Sequence, residues 1–552
     1  PTHSASPHIL MQSPISPTQS LWPLLVWLLL SCTPQEQERQ ASPTESRPNF
    51  LFIAIDDLNV YNAPLGELPM SFLQKVYPDS TLRAEVLDRL TPNLQRLADQ
   101  ALTFERTYCA APLCGPSRTA LLTGVPPHVS GYYQHDQHFR GYPSLTDVVT
   151  LPQYLRRNGY FTAGLGKVFH KSQSYLDRGV FSDWPDQIYS WDHWVETHIG
   201  VGPSPVAEAS PQEQTSPYWP RGDKPARHFT RFGRSQLPRE QSNDYYNAQF
   251  ISQLILNGQA ELIDRHGQTQ RVSLPSEQPY FLACGLFAPH LPWVVPDEYW
   301  DLFPPAEMAI DRELLQWLEE DLRDLSPSGL RLAMHSPFVE LREHAQTLDP
   351  EKGEIAAWRT VFQAYLATVA WSDRNLALLV DAIEQNPQKD NTVVILWSDH
   401  GYHLGDKSRE GKVTLWEAAN HCNLMMLDPR EANQHAGKRS PALCSLQDLY
   451  PTIVSLAGLD RPRHVHGQDL SALLNDPQMD WPHSVLSTNG EGNHSLRTEQ
   501  FRYLRYRNGD QELYDLKADP LEVHNLALDP AYAATLHQLE QALEQSLGKA
   551  AL

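Results

Sequence analysis

Positive charge is what this sequence most lacks: 44 Lys and Arg stand against 66 Asp and Glu, a formal balance of −22. That deficit argues against nucleic acid or an anionic membrane as the main partner, since both demand a basic surface. It also sets a condition. An anionic substrate would have to be drawn by Lys, Arg and His gathered locally against the background field. Cysteine is scarce as well, and six in 552 residues are too few for a disulfide framework. Cys284, set in an apolar run, reads as a core residue. Cys109 and Cys114 share a loop, so a disulfide between them is one reading, while nothing local decides Cys422 or Cys444. No internal repeat is evident. Apolar residues are plentiful by contrast: a hydrophobic share of 41% with 14 Trp, 22 Tyr and 17 Phe supports a large core and excludes wholesale disorder. The length suits a large α/β enzyme with a smaller second region.

Residues 1–46 read as a signal or lipoprotein-like segment and tether. The apolar run Leu21–Leu30, ten residues long, is too short to span a bilayer as a helix and has the form of a signal-peptide h-region. Leu29-Leu30-Ser31-Cys32 closes it like a bacterial lipobox, in which Cys32 would carry a lipid anchor. Met11 stands as an alternative start, and no Lys or Arg precedes the run. Thr33 to Arg47 is rich in Gln, Glu, Ser and Pro, as tethers are. The expectation is an exported protein, periplasmic or at the cell surface.

From residue 47 the pattern is that of an α/β domain reaching to 445. Four apolar runs rich in β-branched and aromatic residues read as buried strands, and each ends in chemically capable side chains. Asn49–Ile55 runs into Asp56-Asp57, and Tyr160–Leu165 into Gly166-Lys167 and His170. Tyr280–Leu286 leads to Pro289-His290, and Thr392–Trp397 to Ser398-Asp399-His400. Continuous apolar runs of this kind fit a mostly parallel sheet sandwiched by helices, and such sheets gather ligands at the carboxyl ends of their strands. Helical spacing is expected over Leu90–Leu102, Leu151–Asn158 and Trp358–Ile383. Residues 200–245 and 313–348 read as insertions, the first rich in Pro and Gln, the second charged and helix-prone. Residues 446–552 read as a smaller α+β region with short strands near 501–506 and 512–516 and an amphipathic helix carrying Leu536, Leu539, Leu543 and Leu547.

The sharpest motif is Cys114-Gly115-Pro116-Ser117-Arg118, followed by Leu121-Leu122-Thr123-Gly124. Pro116 suits the first turn of a helix, and Gly124 can close it. Cys114 then sits just before a helix N-terminus, where free N–H groups and the dipole favour an anion. Arg118 lies one turn in. The bland alternative is an ordinary loop thiol, but four fixed identities in five positions arise by chance on the order of once in several hundred such chains. Asp56-Asp57 and Asp399-His400 are candidate cation ligands, because adjacent carboxylates at a strand end repel unless neutralised and oxygen-rich sites suit Ca²⁺ or Mg²⁺. Taken alone, each pair is more often a strand-to-helix turn with an Asp cap. Lys167 and His170, spaced i, i+3, can face one anion.

On these residues the chain resembles the type I sulfatases of the alkaline phosphatase-like fold, whose C-x-P-S-R motif is present without a fault; Gly166-Lys167-Val168-Phe169-His170 is similar to the iduronate-2-sulfatase branch. The resemblance runs from about Pro48 to Leu547 and takes in Gln447–Thr452 and Leu513–Pro520. It implies that Cys114 is oxidised by a formylglycine-generating enzyme to formylglycine, the nucleophile, with Arg118 stabilising it. Asp56, Asp57, Cys114, Asp399 and His400 would then bind Ca²⁺ or Mg²⁺; many relatives carry Asn where this chain has His400. Lys167, His170, His290 and Lys412 would contact the sulfate or act on the leaving group. Ala288 departs from relatives that carry Lys or Arg there. The implied substrate is a sulfated small molecule or saccharide. Two other readings stay open: a phosphodiester or phosphonate monoester hydrolase of the same fold, and a silent surface lipoprotein that binds sulfated polysaccharide.

Overall fold

The protein is represented by a computed structural model that describes residues 47–170, 186–197, 232–235, 238–264, 267–430 and 436–548. The signal-like segment with Cys32, and most of the 200–245 insertion, lie outside the described residues. Ser46–Leu552 forms one unit of the chain.

A nine-stranded sheet organises this unit. Its strands are β1 (Asn49–Ile55), β2 (Leu102–Tyr108), β3 (Phe161–Gly166), β4 (His193–Val195), β5 (Tyr280–Leu286), β6 (Thr392–Ser398), β7 (His421–Cys422), β8 (Leu424–Leu427) and β9 (Arg439–Ser445). β1 lies at the centre, parallel to both β5 and β6. β3 continues the parallel run from β5 to β4. On the other side β8 is antiparallel to β6 and to β2, and β9 is parallel to β2. The sheet is therefore mixed and mostly parallel.

Every residue of β1 is buried, and its side chains alternate between two cores. Leu51, Ile53 and Ile55 join one, Phe50 and Phe52 the other. Period-two alternation with both faces apolar is what a central strand covered by helices requires. Burial of each large side chain contributes about 1.5–3 kcal/mol, so this strand anchors both layers. Helix α1 (Cys114–Thr123) packs on the Phe50 face, whereas α2 (Asn243–Asn257) and the 33-residue α3 (Gly353–Gln385) pack on the Leu51 face.

One expected helix is corrected. Leu90–Leu102 is not continuous: a helix spans Ser80–Leu90, Pro92 starts a second that ends at Ala98, and Leu102 already belongs to β2. Pro92 has no N–H to continue the first helix, but it starts a new one well. The strand itself, Leu-Thr-Phe-Glu-Arg-Thr-Tyr, carries a charged pair in its middle that hides it from an apolar-run search.

The 313–348 segment forms helices Arg312–Glu320, Pro327–Ala333 and Val339–Leu348. They pack beside the chain that precedes Lys412, with Arg342 and Ser336 both bound to Glu410. After β9 the chain leaves the large sheet. It forms an antiparallel sheet of β10 (Val485–Thr488), β11 (His494–Arg497), β12 (Phe501–Arg505) and β13 (Gln511–Asp515), closed by α4 (Ala533–Gly548) through Leu539 and Leu543. No helix among the described residues is long and apolar enough to cross a membrane.

Candidate active site

Because β1, β3, β5 and β6 run in one direction, their carboxyl ends meet at one edge of the sheet. There β1 delivers Asp56 and Asp57, β3 delivers Lys167 and His170, β5 delivers the loop to His290, and β6 delivers Asp399 and His400. β2 runs the same way and feeds the loop that enters α1. The helix begins at Cys114 itself, one residue earlier than the motif suggested, with Leu113 as its extended cap and Gly124 closing it at φ 71°. Cys109 and Cys114 are both free thiols.

Arg118 ties the edge together. Its guanidinium donates to Asp56 and Asp399 at 2.9 Å each, to the Val168 carbonyl at 3.0 Å and to the Lys167 carbonyl. It therefore clamps α1 to three strand ends with no side-chain exposure. Ser117 adds a hydroxyl bond to the Asp399 carbonyl at 2.5 Å. Gly166, at φ 74°, lets β3 bend here, since a Cβ would stand 2.0 Å from the Gly285 carbonyl.

The thiol of Cys114 lies 3.0 Å from Nζ of Lys412, 3.2 Å from Nε2 of His400 and 3.8 Å from Nζ of Lys167. Burial would raise this thiol, but Lys167, Lys412 and His400 more than reverse that and hold it well below its ordinary value. Lys412 also donates to Asp57 at 2.5 Å, and Lys167 to Asp56. Burial pushes Asp56 up, but the charge of Lys167 overcomes this and leaves it low. Burial raises Asp399 to about 7. His400 is lifted to about 10 by the Asp399 carboxylate, against the effect of burial.

These residues fit a hard cation. Ligand atoms of Asp56, Asp57, Cys114 and His400 all fall within 4.8 Å of one another, and Asp399 lies 3.5 Å from His400. Nδ1 of His400 donates to the Gly401 carbonyl at 2.8 Å, which aims Nε2 at Asp57, 3.3 Å away. Asp57 sits at φ 59°, with its carbonyl held by the Tyr365 hydroxyl of α3 at 2.8 Å. Asp56, Asp57 and Asp399 against Arg118, Lys167 and Lys412 make a balanced set of charges, so a bound divalent ion would turn the site positive.

His290 stands at the mouth, its Nε2 4.0 Å from Asp57 and its side chain 15% exposed. Nδ1 donates to the Leu291 carbonyl at 2.6 Å, so Nε2 faces the site. Its loop hangs from buried Asp244, which accepts the N–H groups of Phe287 and Ala288 at 2.8 Å each. His170 hydrogen-bonds Cys114, and burial holds it down at about 4. All the candidate side chains thus meet at one place.

His135 was not singled out from the sequence. Its Nε2 accepts the Gly115 N–H at 2.8 Å and its ring stacks on His170 at 3.7 Å between centroids. Gly115 permits this approach, since a Cβ there would stand 2.6 Å from His135 and 2.7 Å from the Tyr132 hydroxyl. Cys114, His135 and His170 also bring their ligand atoms within 4.8 Å of one another. The density of His and Asp over 135–138 was the only available signal.

Comparison with known proteins gives a family match over most of the chain. The family model described as Sulfatase matches residues 48–459, and one described as N-sulphoglucosamine sulphohydrolase, C-terminal, matches residues 406–549. A sulfatase of Formosa agariphila is 30% identical over 540 residues, covering 95% of this chain and 91% of that protein. Iduronate 2-sulfatase of Homo sapiens is 26% identical over 479 residues, covering 79% and 74%. A solved structure in complex with its substrate D-glucosamine-2-N,6-O-disulfate aligns with a TM-score of 0.61 at 19% identity, covering 92% of this chain and 98% of that one. A phosphonate monoester hydrolase from Silicibacter pomeroyi aligns at 0.63 and 20%, covering 92% and 96%. At such identities the two structures speak for the fold.

Proposed function

The chain belongs to the sulfatase family, and from that premise we propose that this sulfuric ester hydrolase acts on a sulfated sugar, using formylglycine made from Cys114 and a bound Ca²⁺ or Mg²⁺. One observation carries the reading: the Cys114 thiol lies between Lys412 and His400, at 3.0 and 3.2 Å, inside a ring of three buried carboxylates. Formylglycine, when present, supplies the nucleophilic oxygen of its hydrated aldehyde, and covalent catalysis divides the cleavage into attack on sulfur and release of sulfate. The cation, when bound, supplies Lewis acidity toward a sulfate oxygen.

The remaining work falls to the chain's own side chains. Asp56, Asp57, Asp399 and His400 hold the cation. Lys167 and Lys412 place fixed positive charge where the sulfate oxygens gain negative charge. His290, with its tautomer set by Leu291, offers Nε2 as the proton donor to the departing alkoxide. His170 faces the nucleophile, and Arg118 keeps α1 registered on the strand ends. All ten residues of α1 are buried, so a formylglycine-generating enzyme must reach Cys114 before the fold closes. Sugar specificity is supported by the iduronate 2-sulfatase relative and by the disulfated glucosamine bound in the structural neighbour. Export with a lipid on Cys32 belongs to the same proposal and rests on Leu21–Cys32.

Mass analysis of the peptide containing Cys114, from protein made with a maturation enzyme, should show a loss of about 18 Da relative to cysteine. An unmodified thiol with undiminished activity would sink the mechanism. The phosphonate monoester hydrolase neighbour favours a second reading. Comparing aryl sulfate with aryl phosphodiester turnover separates the two, and preference for the phosphodiester would replace the first with the second. A silent binding protein is opposed by the full set of candidate side chains.

A further inference from the structure

Lys412 is held in an unusual stretch of backbone. Gly411 has φ 103° and Val413 has φ 70°; a β-branched residue in the left-handed region is a true outlier that persists only when its surroundings over-determine it. Two contacts do so here. The Val413 N–H donates to the Pro112 carbonyl at 3.0 Å, two residues before Cys114. Its carbonyl accepts from Nδ2 of Asn489 at 2.8 Å. Asn489 lies in the β10–β11 turn of the C-terminal sheet, and strand β10 is itself seated on the nucleophile loop. Thr488 N–H donates to the Ala110 carbonyl at 2.9 Å, and the Ser487 hydroxyl to the Cys109 carbonyl at 2.6 Å. Asn493 in turn donates to the Asn489 carbonyl at 2.8 Å.

From this geometry we propose that Asn489 is a positioning residue for Lys412: it latches the strained Val413 peptide, so the C-terminal sheet sets where the Lys412 ammonium stands relative to Cys114. The proposal rests on the sulfatase reading only in giving Lys412 a sulfate to meet. Among the described residues, the Asn489 side chain bonds the Val413 carbonyl and neither the nucleophile nor a candidate cation ligand, so its effect should reach the site through the Val413 peptide that carries Lys412.

A double-mutant cycle tests this on the full chain, with Asn489→Ala, Lys412→Ala and the double variant compared in two readouts. One is the dissociation constant of inorganic sulfate; the other is kcat/KM on an aryl sulfate. Asn489→Ala alone should weaken sulfate binding and lower kcat/KM about five- to tenfold, the reach of one lost hydrogen bond. In the Lys412→Ala background it should change either by less than about twofold. Asn489→Leu, branched at Cγ as Asn is but without the donor, leaves no cavity; it should behave as Asn489→Ala does and so excludes a cavity effect. Equal losses in both backgrounds, no loss in either, or full retention in Asn489→Leu would overturn the latch. A wild type that binds sulfate with the expected coupling yet cleaves no sulfate ester would keep the latch and remove the reaction.

Discussion

Among the described residues, two clusters of buried charge stand in contrast: one gathers the candidate site residues and the other does not. At the strand ends, Asp56, Asp57 and Asp399 face Arg118, Lys167 and Lys412. Under the C-terminal sheet, Arg502 lies between Glu417 and Glu522, and Lys407 between Asp321 and the Glu522 carbonyl. Both are almost wholly buried. In the second, every charge is turned toward another element of the fold: Glu417 also accepts the Tyr108 hydroxyl at 2.7 Å, and Glu512 accepts the Trp416 indole at 2.9 Å. In the first, a thiol and the imidazoles of His135, His170, His290 and His400 stand among the ions, and Lys412 and His290 keep 17% and 15% of their side chains in solvent. Burial of charge therefore does not mark function. What sets the candidate site apart is charge beside a thiol, with an open side.

The comparison can be broken most directly at Cys114. Cys114→Ala should lower aryl sulfate turnover by about 10⁴-fold with an unchanged thermal midpoint, measured by initial rates and calorimetry. A large loss of stability instead would make Cys114 a packing residue. Next, dialysis against a chelator should cut activity by about a hundredfold or more and lower the thermal midpoint, with Ca²⁺ or Mg²⁺ restoring both. Full activity in the chelated protein would remove the cation.

The structural cluster should respond in the opposite way. Arg502→Met leaves Glu417 and Glu522 without their shared cation and should cost about 3–5 kcal/mol of stability in urea unfolding. Its kcat per folded molecule should stay near the wild type. A selective loss of kcat would show that the two clusters are coupled.

The smallest effect is one of pH. His494 on β11 and His128 on the short helix Pro127–Ser130, with rings 6.4 Å apart, are each lowered to about 4, chiefly by burial. The unfolded chain, with ordinary values near 6.5, binds more protons between these limits. Their contribution is therefore complete above about 6.5 and is lost as pH falls toward 4. His128→Gln should flatten stability over that window by up to about 1.4 kcal/mol per pH unit. An unchanged slope would place the acid sensitivity at the strand-end cluster instead.

Much of the edge that carries the candidate site was legible because its strands are apolar on both faces. Asn49–Ile55 was read with its observed bounds, and the runs near 160, 280 and 392 to within a residue. β2 was not, since Glu105 and Arg106 interrupt it and both stay half-buried. The small strands β7 and β8, two and four residues long, offer too few positions for any period. His135 and Asn489 were missed for another reason. They lie in turns without hydrophobic rhythm, and their partners, Gly115 and Val413, are 20 and 76 residues away.

By itself, then, the sequence determined the Cys114 motif, the acidic and cationic side chains that accompany it, and the strands that carry them. Local residue order suffices for a helix start just after Cys114, within a residue of the observed one, and for polar groups at the ends of apolar runs. Tertiary structure alone decided that these ends share one edge, because parallel pairing of β1, β3, β5 and β6 is a long-range choice. It alone also decided that a C-terminal turn would reach back to the backbone beside Lys412. Both depend on packing between segments far apart in the chain, which no local pattern records.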